Sequence, residues 1–414
     1  MQHRIPLDDL RRRLGDAADG MGRAVTTCVH CGFCLAACPT YRVLGEEMDS
    51  PRGRIVLMKQ ALEADLAISE TLPYIDRCLG CLGCETSCPS GVRYRDLLMP
   101  FRALAEVTAR PAHHRFARGV LLSILESPAR FRAALVAGRL AGLVAPLLPP
   151  AIRAMLELMP RKLQPQSPLP AHTPAQGARR ARVALLEGCV QRVLRPSINA
   201  ATVRVLSDNG VEVIVPQEQG CCGALALHSG HAARGHRLAA HNARIFPADV
   251  DAIVTNAAGC GSAMKEQPHA APVLDVAEFL DRLGLRTALS LAQPTRIAYH
   301  DACHLSHGQG IRSAPRRLLA QIANVTLAEI EDGEMCCGSA GLYNMEHPET
   351  ANALGRRKAA AIHATGATLV AAGNIGCLTQ IAAHLTIPVR HTIEVIDSAS
   401  VSYTHLTLPT KRIV

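Results

Sequence analysis

Past residue 180 the chain alternates between short apolar runs and longer amphipathic stretches. The run "ARVALLEGC" predicts a buried strand ending at Cys189, because consecutive branched apolar residues suit a strand covered on both faces. Residues 196–208 place apolar side chains at helical spacing and stop at "DNG", where glycine can end a helix. Then come a strand "VEVIVP", the pair Cys221–Cys222, a long helix and a strand "AIVTNAAGC" ending at Cys260. The same order returns from residue 295: strand "TRIAYHDAC" to Cys303, helix "SAPRRLLAQIA", strand "VTLAEI", the pair Cys336–Cys337, a long helix, and strand "TLVAAGNIGC" to Cys377.

The two segments match cysteine for cysteine, with 114 residues from Cys189 to Cys303 and 117 from Cys260 to Cys377. A repeat of this length predicts two similar β-α-β-α-β units packed as a pseudo-symmetric pair. Open parallel sheets bind ligands at the carboxyl ends of their strands, where these cysteines fall. Cys189, Cys221, Cys222 and Cys260 are therefore candidate metal or cluster ligands in the first unit, as are Cys303, Cys336, Cys337 and Cys377 in the second. Substrate-facing redox thiols, or plain structural cysteines, are the alternatives. The glycine after each pair is expected to let the backbone approach an inorganic core. His300 and His304 flank Cys303, where they either tune a centre, relay protons or serve structure alone.

The first half follows a different pattern. "DSPRGRIVLMKQALE" predicts a helix over 49–63, with Asp49 or Ser50 as cap, Pro51 in the first turn, and Ile55, Met58 and Leu62 on one face. Residues 110–160 read as helical, and 160–181 as a proline-rich linker. On either side of the 49–63 helix stand "CVHCGFCLAACP" and "CLGCLGCETSCP", both C-x2-C-x2-C-x3-C-P. In this bacterial ferredoxin run three thiolates hold one [4Fe–4S] cube and the fourth reaches the other cube. That logic assigns Cys28, Cys31, Cys34 and Cys88 to one cluster, and Cys38, Cys78, Cys81 and Cys84 to the second. A pair of zinc sites would take separated pairs of ligands, which two complete matching runs oppose. Arg52 and Arg54 are either near the clusters, where positive charge raises a reduction potential, or ordinary surface arginines.

Composition sharpens this. Sixteen cysteines without an apolar secretory leader predict metal or redox chemistry in the cytoplasm, with no disulfide framework. The formal charge of +9 comes from scattered basic residues, and aromatics are only 3%. That pattern excludes nucleic acid as a partner and suits an acidic protein or anionic headgroups at the inner membrane face. The most apolar stretch, 135–156, is broken by Arg139, Arg153 and prolines, so a peripheral rather than a transmembrane association is expected.

The double cysteine run, "DSPRGRI" and the two CCG segments together resemble the iron–sulfur subunits of glycolate oxidase (glycolate dehydrogenase), over residues of about 10 to 397. The resemblance implies a multidomain chain, an α-helical ferredoxin module followed by two repeated α/β CCG domains. Its expected divisions are a ferredoxin domain with two [4Fe–4S] clusters at 1–125, a helical segment and linker at 126–180, CCG domains at 181–290 and 291–398, and an atypical tail at 399–414. It further implies flavin-containing subunits that oxidise a 2-hydroxy acid, and a quinone or similar acceptor. No G-x-G-x-x-G follows a strand here, so a flavin is expected on partners and no catalytic residue is assigned to this chain. Related architectures serve lactate and glycerol-3-phosphate dehydrogenases and heterodisulfide-reductase-like thiol–disulfide subunits. In the last of these the final cysteine belongs to a C-x-x-C pair, whereas "GSAM" follows Cys260 and "LTQI" follows Cys377. A five-thiolate cluster is therefore not expected, and a four-ligand cluster remains open. The segment "SVSYTHLTLPTKRIV", 400–414, is expected not to extend the preceding helix.

Overall fold

The computed structural model describes residues 4–142, 156, 159, 163–165 and 167–407. They divide into two compact units, each assembled from three stretches of chain. One unit comprises Met1–Met159, Cys221–Ala240 and Glu334–Lys358; the other comprises Pro160–Gly220, His241–Gly333 and Ala359–Val414.

The first unit is helical. Its amino-terminal part runs α1 (Leu7–Leu14), α2 (Ala17–Thr27), α3 (Phe33–Ala36), α4 (Pro39–Leu44), α5 (Pro51–Leu62), α6 (Ile68–Asp76), α7 (Gly83–Thr86), α8 (Arg95–Thr108), α9 (Ala112–Leu125) and α10 (Pro128–Ala141). Helix α5 begins where its sequence directs: Ser50 Oγ accepts from the Gly53 amide at 2.9 Å, and Pro51 takes the first turn. A side chain at position 53 would stand 2.0 Å from the Glu47 carbonyl oxygen, so only glycine fits there. Met21, Ile55, Met58, Ile75, Leu97, Leu98 and Phe101 close one core, against which Cys28, Cys78, Cys84 and Cys88 pack. The segments from later in the sequence are tied in by arginines. Arg102 donates to the His228 carbonyl at 3.0 Å, Arg118 to Glu346 at 2.6 Å and Arg234 to Glu126 at 2.6 Å.

The second unit holds two sheets. The strands β1 (His172–Thr173), β2 (Ala181–Leu186), β3 (Val211–Ile214), β4 (Ala252–Thr255) and β5 (Val273–Asp275) lie in the order β1-β3-β2-β4-β5. The strands β6 (Leu289–His300), β7 (Ile322–Ala328), β8 (Leu369–Ala372) and β9 (Val389–His391) lie in the order β7-β6-β8-β9. Apart from the antiparallel edge strand β1, every pairing is parallel, and the two orders superpose strand for strand. The repeats also meet reciprocally. Arg204, on the helix Pro196–Asp208, pairs with Asp397 at 2.7 Å, and Arg317, on the helix Ser313–Ala320, pairs with Asp281 at 2.5 Å. These ion pairs join corresponding helices with the repeats exchanged, as a pseudo-twofold arrangement does.

Several details differ from the sequence reading. Strands β4 and β8 end at Thr255 and Ala372, so Cys260 and Cys377 sit on the helices Ala258–Lys265 and Ile375–Ala382. The asparagine and glycine residues after each strand break the ladder before the cysteine is reached. Cys189 follows β2 in a turn, and Cys303 opens the short helix Cys303–Ser306. The linker contributes β1. The last helix spans Thr392–Thr407 and so continues through the first residues of the segment expected to break it; 408–414 lie outside the described residues. The helical reading of 110–160 holds through α9 and α10, and beyond 142 it lies almost wholly outside them. Among the described residues no helix is long and apolar enough to cross a membrane.

Candidate iron–sulfur sites

The two cysteine runs fold alike. Between the first and second cysteines His30 (φ 55°) and Gly80 (φ 63°) adopt left-handed backbone, and between the second and third Gly32 (φ 87°) and Leu82 (φ 65°) do so. Repeated left-handed residues curl the backbone tightly and turn its N–H groups inward, which is how loops cradle anionic sulfur. For His30 and Leu82 this conformation carries strain, of the kind that gathers at functional loops. Each third cysteine then lies on a short helix, Cys34 on α3 and Cys84 on α7. Cys38 immediately precedes Pro39, which opens α4 and turns the chain away.

An open cleft is lined by Cys28, Cys31, Cys34 and Cys88, with Cys84 also reaching its wall. Burial pushes the Cys28 thiol up, and Cys88 and Cys31 nearby add to it. Burial likewise pushes Cys34 up to about 11 and pushes Cys84 well up, the latter with Cys81, Cys78 and Cys38 adding to it. Thiols crowded together in apolar surroundings resist ionising, and a bound metal reverses this by taking them as thiolates. The donor set thus fits iron–sulfur clusters. All sixteen cysteines are free of disulfide bonds.

Donors surround the sulfurs. The Gly80 amide donates to Cys78 Sγ at 3.4 Å and the Val92 amide to Cys88 Sγ at 3.4 Å. Tyr94 Oη lies 3.9 Å from Cys78 Sγ. Arg52 bridges Glu47 at 2.8 Å and the His30 carbonyl at 3.2 Å, clasping the first loop. Arg54 is only 1% exposed; it binds Asp49 at 3.0 Å, the Tyr74 carbonyl at 2.7 Å and Thr40 Oγ1 at 3.0 Å. Burial opposes its charge, but Cys78, Tyr94, Cys38 and Asp49 outweigh this and hold the guanidinium protonated. Tyr94 and Arg102, which donates to the Cys78 carbonyl at 2.5 Å, escaped the sequence reading because no motif or spacing marks them.

In the repeats, the pairs Cys221–Cys222 and Cys336–Cys337 are buried. The glycine behind each pair is also required by the turn itself. A side chain on Gly223 (φ +86°) would stand 2.6 Å from the Gly235 carbonyl oxygen, and one on Gly338 (φ +96°) 2.5 Å from that of Ala351. The glycine lets the turn close on the backbone of the helix that follows. His304 Nδ1 lies 3.5 Å from Cys303 Sγ, and Asn374 Nδ2 lies 3.4 Å from Cys377 Sγ. His300 ends β6, is wholly buried, and has an imidazole nitrogen within 4.8 Å of Cys377 Sγ.

A family model described as a 4Fe-4S dicluster domain matches residues 24–92, and one described as a cysteine-rich domain matches 183–265 and again 297–382. Together with the loops above, these define an iron–sulfur electron-transfer protein. The glycolate oxidase iron-sulfur subunit of Escherichia coli K12 is 37% identical over 92% of this chain and 95% of its own length. The probable glycolate oxidase iron-sulfur subunit of Bacillus subtilis 168 is 35% identical over 85% and 87% respectively. Lactate utilization protein A of an Exiguobacterium strain is 29% identical over 52% of this chain and 96% of its own. The chain belongs to the family of glycolate oxidase iron–sulfur subunits.

Proposed function

We propose that this protein is the electron-transfer subunit of a complex that oxidises glycolate, taking electrons from flavin-containing subunits and passing them to a quinone or similar acceptor. The observation that carries this reading is the paired ferredoxin loops in a chain that relatives of that name match over 85–92% of its length. Each [4Fe–4S] cluster supplies a one-electron carrier, so the two-electron oxidation of a 2-hydroxy acid has to be split on a flavin held elsewhere. Cys28, Cys31, Cys34 and Cys88 would hold one cluster, and Cys38, Cys78, Cys81 and Cys84 the other. Around them Gly80, Val92 and Tyr94 donate to cysteine sulfur, while buried Arg54 keeps a positive charge nearby. Such donors stabilise the more negative, reduced state. The cysteines of the repeats are candidate ligands of further centres, and the acceptor's place at a membrane surface accords with the net charge of +9.

The test is a reconstitution. The purified chain should show no glycolate oxidation with an artificial electron acceptor, and the flavin subunits should restore it. Oxidation by the chain alone, free of flavin, rules the reading out.

A further inference from the structure

The repeats are equivalent in fold and unequal in what they bury at one position. Strand register pairs Leu186 with Thr255 in the first sheet and His300 with Ala372 in the second, so Leu186 and His300 are structural counterparts. The first repeat fills the space beyond its strand ends with a side-chain amide network. Asn256 binds Asn199 at 2.9 Å and Thr202 at 2.9 Å, and Gln191 binds Asn199 at 2.9 Å. The second repeat has a fully buried imidazole at the position of Leu186, and neither of its ring nitrogens has a hydrogen-bond partner among the described residues. A buried polar side chain left without a hydrogen-bond partner is costly to a fold, so its place there calls for an account. One of those nitrogens lies within 4.8 Å of Cys377 Sγ. Metal–sulfur and metal–nitrogen bonds are about 2.3 and 2.1 Å long, so both atoms can reach one centre with little movement.

We infer that His300 is a nitrogen ligand of an iron–sulfur centre in the second repeat, beside Cys377, in the role left vacant by the thiol missing after that cysteine. The first repeat, with Leu186 at this place, has no such ligand. The inference deepens the reading of the repeats as metal-binding and rests on it. Histidine in place of thiolate removes a negative charge from the centre and raises its potential, as in clusters with two imidazole ligands. The second repeat would then hold the chain's most readily reduced centre.

The test uses the full chain, purified anaerobically and reconstituted with ferrous iron and sulfide. Native protein should carry iron beyond the roughly eight atoms of two [4Fe–4S] clusters. Pulsed electron paramagnetic resonance should resolve coupling to an imidazole nitrogen that changes when histidine is labelled with 15N. His300→Leu, which installs the residue of the first repeat, should lose the additional iron and that coupling while the ferredoxin signals persist. His300→Cys should keep the iron, lose the coupling and lower the centre's potential. Extra iron with no histidine coupling would overturn the role of His300 and leave cysteine-only ligation standing. A native chain with only eight irons would overturn both. Retention of the coupling in either variant assigns it to another histidine and sinks the inference.

Discussion

Arg54 Nη1 stands 3.9 Å from Cys38 Sγ, and little water reaches either residue to screen the contact: Arg54 is 1% exposed and Cys38 6%. A fixed cation this close favours the reduced, more negative state of whatever Cys38 ligates. Arg54→Gln should therefore lower the potential of one cluster and leave the other almost unchanged, as read by redox titration of the two signals. It also strips Asp49 of its fully buried partner, although Arg77 remains at 2.9 Å. Breaking a buried pair costs about 3–5 kcal/mol, so Arg54→Lys serves as the companion that keeps the charge. Equal shifts in both clusters would contradict the placement.

The independence of the two clusters has its own test. Cys81→Ser should reduce bound iron from about eight atoms in the ferredoxin module to about four, removing one signal. Loss of both signals in a still folded protein would show that the two clusters do not assemble independently.

Asp275 and His391 occupy equivalent caps in the two repeats. Asp275 accepts from the Ala277 amide at 2.8 Å, and His391 Nδ1 accepts from the Ile393 amide at 3.1 Å. Burial pushes the Asp275 carboxyl up to about 7 and pushes His391 down to about 4. Between about pH 4 and 7 the folded chain thus holds a proton on Asp275 that the unfolded chain has lost, so this group's contribution falls as pH rises. His391 works in the opposite sense, because over about pH 4 to 6.5 the unfolded chain binds the proton. The two slopes offset each other. Asp275→Asn keeps a good cap and removes one slope. The variant should match the wild type near pH 4 and exceed it at pH 8, by at most about 4 kcal/mol for three units at 1.4 kcal/mol each. Chemical denaturation across that range reads the difference, and an equal offset at every pH would refute it.

Gly338→Ala forces a side chain into the Ala351 carbonyl at a left-handed position. Strain and overpacking together should cost about 2–5 kcal/mol. Gly366 is also left-handed (φ +66°) but has nothing within 4 Å, and its alanine variant should cost only about 1 kcal/mol. Thermal denaturation of the two variants makes the comparison.

Much of this was legible from residue order. Branched runs such as "VALL" and "LVAA" produced β2 and β8, Ser50–Pro51 started α5, and the C-x2-C spacing located both loops. The short strands Val273–Asp275 and Val389–His391 were not, since three residues carry no periodicity. Nor was the division into units. Periodicity reports which face of an element is buried and is silent on what covers it, so nothing in "EMCCGSAGLYNME" announces that Glu346 will receive Arg118. His300 drew attention only as a neighbour of Cys303. Its significance lies in having no partner, a property of the fold and not of the string.

The composition of the first unit also sets a timetable. Arg118 and Glu346 are 228 residues apart, and Glu106, only 2% exposed, accepts from Arg118 at 2.9 Å in the same network. A ribosome that has just extruded the second cysteine run has released eight thiols but not the segments, 221–240 and 334–358, that complete their unit. The module that comes first in the gene thus stays incomplete until translation passes residue 358, and until then its thiols lack part of the unit that encloses them.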